Sequence, residues 1–173
     1  IQQQVHIRPD QSVLVVGAGR LGMLVALTLQ LTGCDLSVVV RHEAQRRLLA
    51  VHKIKTITDT DIQPGKRDIV VDVTGSAEGF AVARRAVRPM GTIVMKSTYK
   101  GDMPINFSSL VVDEITLVGS RCGPFAPTLR HFEAGDVDPR PLIVGTYPLS
   151  KGLDALELAA QRGILKVLLD PRK

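Results

Sequence analysis

Ser12-Val13-Leu14-Val15-Val16-Gly17-Ala18-Gly19-Arg20-Leu21-Gly22 decides the fold. The β-branched run Ser12–Val16 shows no polar/apolar alternation, which predicts a strand covered on both faces. The glycines after it follow G-x-G-x-x-G, and the residues after Gly19 begin a helical pattern. Gly17 permits a sharp strand-to-helix turn, Gly19 removes the side chain that would hold a pyrophosphate off the backbone, and Gly22 lets the helix lie close to the strand. The helix start, Arg20-Leu21-Gly22, then offers unpaired N–H groups and the positive end of its dipole to phosphates. Glycines in this pattern can also form a purely structural turn; the strand-turn-helix setting points to a dinucleotide.

Working outward, the first helix reads as Arg20–Leu31, with Leu21, Leu24, Val25, Thr28 and Leu31 recurring at helical spacing, and Gly33 closing it. Then come strand Leu36–Val40, helix Glu43–Val51, a weak strand Ile54–Ile57 and a turn-rich stretch Thr58–Lys66. Strand Asp68–Val73 stops at Thr74-Gly75, helix Ala77–Val87 runs toward Pro89, and strands Gly91–Lys96 and Ile115–Ser120 follow. Alternation of apolar strands with helices predicts an α/β, Rossmann-type, doubly wound parallel sheet of six strands. Beyond Ser120 a Gly/Pro-rich stretch, Cys122–Pro127, precedes helix Thr128–Ala134, strand Leu142–Thr146, helix Lys151–Gln161 and strand Ile164–Leu169, a C-terminal α/β extension. The reading divides the chain into a linker (1–11), a dinucleotide-binding domain (12–122) and a C-terminal segment (123–173).

The 173 residues, 45% apolar and 23% charged, suit one domain with an appendage and exclude disorder, collagen and a disulfide scaffold. No apolar run approaches the roughly 20 residues of a membrane helix, and no charged-then-apolar leader opens the chain. The first residue is Ile1, not Met, which suits a start inside a longer gene product. Cys34 and Cys122 lack a partner motif, as expected in a reducing cytoplasm. The net charge of +5 calls for an anionic partner. With four Phe, two Tyr and no Trp, all scattered, the stacking residues of a single-strand nucleic-acid binder are missing. A phosphate-bearing small molecule fits better than nucleic acid or a membrane.

The end of the second strand selects the cofactor. An acid there hydrogen-bonds the adenosine ribose and repels a 2′-phosphate. Here the strand ends in Arg41-His42, with Glu43 just beyond. Arg41 suits a 2′-phosphate by pairing while stacking on adenine, so NADP is favoured over NAD. Arg46 and Arg47 read as solvated surface charges. The missing acid also argues against a methyltransferase using S-adenosylmethionine.

Taken together, Val15–Gly22, Asp68–Gly75, Val87-Arg88-Pro89-Met90-Gly91-Thr92-Ile93-Val94, Glu114–Ser120 and Gly163–Leu169 resemble the medium-chain dehydrogenase/reductase superfamily, the zinc-type alcohol dehydrogenases and their polyol- and threonine-dehydrogenase relatives. The resemblance runs over nearly the whole chain. It implies that Thr74 and Gly75 pass beneath the riboses, that Met95, Lys96 and Ser97 line the nicotinamide edge, and that Ser120 and Cys122 offer backbone groups to the carboxamide. It further implies that Lys166 reaches the pyrophosphate and that the sixth strand pairs with its twin in a homodimer.

The same resemblance implies a preceding catalytic domain with a catalytic zinc, and none of its motifs is here. His6, His42, His52 and His131 show no metal-ligand spacing. No residue of this chain is therefore expected to be catalytic or to bind metal, and Cys34 reads as a buried thiol. The implied function is the cofactor-binding part of an NAD(P)-dependent, zinc-dependent oxidoreductase acting on an alcohol or carbonyl, with residues 123–173 completing the catalytic domain. The alternative is a non-catalytic dinucleotide sensor. Tyr147-Pro148-Leu149-Ser150-Lys151 matches the Tyr-x-x-x-Lys of short-chain dehydrogenases, but Pro148 interrupts the helical turn that chemistry needs. Tyr147 reads instead as a strand-end residue, with Ser150 capping the next helix.

Overall fold

The computed structural model describes residues 1–99 and 101–172. Its main body alternates β1 (Ser12–Val16), α1 (Arg20–Gln30), β2 (Asp35–Val39), α2 (Glu43–Val51), β3 (Lys55–Ile57), β4 (Arg67–Asp72), α3 (Ala77–Ala86), β5 (Val87–Met95), α4 (Phe107–Val112) and β6 (Thr116–Gly119). The strands form one six-stranded sheet in the order β3-β2-β1-β4-β5-β6, with every pairing parallel. Strand order reverses between β1 and β4, and the crevice of a doubly wound sheet opens at such a reversal.

The central strands β1 and β4 bury both faces, as their apolar runs demanded, while the outer strand β6 is largely exposed. Val13 and Val15 of β1 join Leu36, Val38, Ile69, Val71 and Val94 in a core against Met23, Ala26 and Leu29 of α1. The alternate residues Leu14 and Val16 join Val39, Val70 and Ile93 against Phe80, Ala83 and Ala86 of α3. The period-2 side-chain geometry of a strand splits one apolar run between two cores.

The buried face of α1 is rotated from the expected stripe: Met23, Val25, Ala26, Leu27 and Leu29 are buried, whereas Leu21 and Leu31 are exposed. Gly22 must face the turn it packs on, and that contact sets which residues follow it inward. β5 starts at Val87 directly after α3, earlier than the Gly91 read from sequence. Met90 takes a left-handed φ of 59°, and its N–H bonds to the Asp113 carbonyl at 2.8 Å. Helix α4 was not expected; Asn106 caps it by accepting from the Ser109 N–H at 3.2 Å.

The C-terminal segment contains α5 (Phe125–Ala134), β7 (Ile143–Pro148), α6 (Gly152–Ala160) and β8 (Lys166–Asp170), with β7 and β8 paired in parallel. α5 starts ahead of the expected Thr128 because Pro127 falls in its first turn, where a proline has no hydrogen bond to break. Ser150 lies in a short 3-10 turn and caps nothing; Lys151 holds the N-cap position of α6. Val137, Leu142 and Leu165 are buried in the same core as α1.

Candidate dinucleotide site at the carboxyl edge of the sheet

Register decides what gathers at the site. Ile57, Val39, Val16, Asp72, Met95 and Gly119 pair in one continuous row across the six strands. The residues that follow this row (Gly17 after β1, Arg41 after β2, Thr74 and Gly75 after β4, Lys96 after β5, Ser120 and Cys122 after β6) therefore emerge along one edge. Most of the sequence-predicted site residues lie there.

The three glycines of the first turn do separate jobs. Gly17 has a left-handed φ of 106°, and a β-carbon on it would stand 3.1 Å from Thr74 Cγ2. A β-carbon on Gly22 would stand 2.1 Å from the Gly17 carbonyl oxygen, so this position exists to seat α1 on the turn. Gly19 is exposed, adopts an ordinary extended conformation (φ −73°, ψ −171°) and has nothing within 4 Å of where its β-carbon would be. Packing in the fold does not require a glycine at 19, and the space in front of it is open. α1 carries no side-chain cap and no acid in its first turn, leaving its first N–H groups, including those of Arg20 and Leu21, for an anion.

Beside this turn lies a cleft of about 130 Å³ lined by Val16, Gly17, Ala18, Val39, Arg41, His42, Gln45, Asp59, Thr74 and Val82. Arg41 and His42 are exposed at its rim. Glu43 engages Arg46 and Arg47, both at 3.5 Å, and Arg46 also donates to Thr56 Oγ1 at 3.0 Å. Among the described residues Arg41 makes no ion pair. Its charge reaches Glu78, whose carboxyl is held below the usual range by its own N–H, then by the Ser76 hydroxyl, and further by Arg41. Asp59, unmarked in the sequence reading, pairs with Arg85 on the cleft wall.

Asp72 organises the middle of the edge. It is wholly buried; one oxygen accepts from Thr74 N–H (2.9 Å) and Thr74 Oγ1 (2.7 Å), the other from the Tyr99 hydroxyl. Burial, that hydrogen bond and the charge of Asp72 push the Tyr99 phenol above its ordinary value. The sequence reading gave Asp72 no role. Tyr99 gave no signal, because its partner lies across the sheet edge. Gly79 was also missed: a β-carbon there would stand 1.8 Å from Thr74 Oγ1, so α3 approaches the Thr74-Gly75 turn as closely as α1 approaches Gly17. Gly75 itself has φ 66°.

At the β5–β6 end, Met95 is half-buried and lies 3.9 Å through its sulfur from the Tyr99 hydroxyl. Lys96 donates through Nζ to the carbonyls of Ser120 (3.3 Å) and Arg121. Ser120 was expected to offer backbone groups to a carboxamide; its carbonyl already accepts from an ammonium. Ser120 Oγ is buried with no hydrogen-bond partner among the described residues. Cys122 is exposed, and Cys34 is half-buried rather than fully enclosed. Lys166 is exposed at the start of β8; among the described residues no hydrogen bond or ion pair joins it to the glycine turn.

The edge fits a dinucleotide on its own chemistry: an uncapped helix start with open space before it, an unpaired guanidinium at the second-strand tip and an orphaned hydroxyl at the sixth. Among the described residues no three His, Cys, Asp or Glu gather at one point.

No protein-family model matches the chain. In sequence it is 24% identical over 189 residues to D-arabinitol dehydrogenase 1 of Uromyces fabae, covering 97% of this chain and 54% of that protein. It is 24% identical over 162 residues to L-galactonate-5-dehydrogenase of Escherichia coli K12, covering 86% and 48%. The fold superimposes on a thermostable alcohol dehydrogenase of Pyrobaculum aerophilum, solved with cobalt and zinc, with a TM-score of 0.84 at 24% identity, over 98% of this chain and 53% of that one. A structure from Sinorhizobium meliloti 1021 bound to NADP gives a TM-score of 0.84 at 21% identity, over 98% and 55%. The homologues and structural neighbours of this chain are zinc-type medium-chain alcohol dehydrogenases, and it spans about half the length of the curated relatives it matches.

Proposed function

We propose that this chain is the cofactor-binding part of an NAD(P)-dependent alcohol or polyol dehydrogenase. The observation that carries the reading is the register row from Ile57 to Gly119, which delivers the glycine turn, Arg41, Thr74, Lys96 and Ser120 to one edge. The diphosphate would rest on the N–H groups at Gly19–Gly22, the adenosine in the cleft beside Arg41 and His42, and the riboses over Thr74 and Gly75. The nicotinamide would lie against Met95, Ser120 and Cys122. When bound, the nicotinamide supplies the hydride chemistry; the chain's own residues orient the cofactor. The alcohol-binding groups and the zinc of such enzymes would come from the rest of the protein, which residues 123–173 would help complete, with Lys166 brought toward the pyrophosphate there.

Arg41 supports NADP over NAD: among the described residues it is the basic group at the second-strand tip left without an ion pair, while Glu43 is occupied by its own arginines. Titrating the chain with NADPH and NADH tests this. Tighter NADPH binding is expected, and a tenfold preference for NADH would remove the role.

The outer strand β6, with Thr116, Leu117 and Gly119 exposed, supports a homodimer in which two such edges pair. Gln4 Nε2 holds only the Gly119 carbonyl, at 2.8 Å. Light scattering should return twice the chain mass, and a monomer would count against it. Among the described residues no helix is long and apolar enough to cross a membrane; a cytoplasmic site of action remains the proposal drawn from the cysteines.

A further inference from the structure

We propose that Lys96 sets the redox preference of the cofactor site, disfavouring the oxidised, cationic nicotinamide relative to the reduced, neutral one. The inference rests on the dinucleotide reading above and deepens it. Lys96 follows the register row at the end of β5, on the half of a doubly wound sheet that takes the second mononucleotide. Its Nζ is fixed rather than free, donating to the Ser120 and Arg121 carbonyls at the end of β6. Those acceptors are neutral, so they hold the charge in place without cancelling it.

No carboxylate pairs with Lys96 among the described residues. The nearest acid by register, Asp72, turns its oxygens to Thr74 and Tyr99, and only its main-chain carbonyl meets Lys96, by accepting from the Lys96 N–H at 2.9 Å. A site lined by backbone carbonyls alone would attract a cationic ring. Here the Ser120 carbonyl accepts from an ammonium, which sets a positive charge against that dipole. The two cofactor forms share every phosphate and ribose contact and differ in ring charge. A unit charge held beside the ring and partly screened by solvent would separate their affinities by roughly tenfold.

The experiment measures dissociation constants of NADP⁺ and NADPH for the chain, for Lys96→Gln and for Lys96→Arg, by calorimetry. Both forms are measured on the same preparation, so any partly unfolded fraction affects them equally and leaves their ratio intact. Lys96→Gln should tighten NADP⁺ by roughly tenfold while leaving NADPH nearly unchanged, and Lys96→Arg should keep the wild-type ratio. An unchanged ratio in Lys96→Gln, or equal weakening of both forms, would overturn the proposal and reduce Lys96 to a clamp on β6. Failure of the wild-type chain to bind either form would instead strike the dinucleotide reading, and this inference with it.

Discussion

The Gly22 α-carbon lies so close to the Gly17 carbonyl that a β-carbon would stand 2.1 Å from its oxygen, while a β-carbon on Gly19 would touch nothing within 4 Å. One motif therefore holds a glycine that packing requires and a glycine that packing does not. Gly22→Ala should destabilise the chain by about 3 kcal/mol or more, since backbone must move to admit the methyl group. Thermal unfolding checks this, and a midpoint within error of wild type would refute the packing role.

Tyr99→Phe removes one donor from the buried Asp72 carboxylate and should cost about 1–3 kcal/mol. Thr74 shares that carboxylate, so the β4 turn should loosen as well. Amide exchange at Thr74 and Gly75 should quicken in the variant; unchanged protection there would mean that Thr74 alone fixes the turn.

Asp68 ties three strands together. It accepts from the Ser12 N–H at 2.8 Å and from the Ser12 hydroxyl at 2.7 Å, and from Arg88 Nε at 2.7 Å. Burial would raise its pKa, but the hydrogen bonds from Arg88 and Ser12 and the charge of Arg88 outweigh it and hold the carboxyl at about 2. Its folded value lies below its unfolded one, so the stabilisation is present above about pH 4 and is lost as pH falls toward 2. With partial exposure of the pair, Asp68→Asn should cost about 1–2 kcal/mol at pH 7. The difference from wild type should shrink below pH 4; a difference constant down to pH 2 would exclude the linkage.

Arg41→Ala should lower affinity for NADPH by about tenfold, the scale of one charge-assisted phosphate contact, and leave NADH within about twofold. Equal losses for both cofactors would show that Arg41 acts on adenine or on the fold, not on a 2′-phosphate.

The fold was legible because β1, β2 and β4 are short, predominantly apolar runs and the glycine turn marks their direction. Both are local signals. Helix α4 escaped because it is short and its cap, Asn106, follows no periodic pattern; α5 was shortened because Pro127 reads as a break yet sits where a first turn tolerates it. The site was half legible. Gly17, Gly19, Gly22, Arg41 and Thr74 follow strand ends that the sequence marks. Tyr99 on Asp72, Gly79 beneath Thr74 and the Lys96 ammonium on the Ser120 carbonyl depend on how the strand ends sit side by side, and no spacing along the chain encodes that. The stripe of α1 was misread by the same logic, since Gly22, not the leucines, fixes the rotation of the helix.

Calorimetric titration of NADPH into wild type and Gly19→Val tests the central claim most directly. Saturable heat is expected with wild type and none at millimolar cofactor with Gly19→Val, at an unfolding midpoint close to wild type. Silence from the wild-type chain, or equal affinity in the variant, would contradict it.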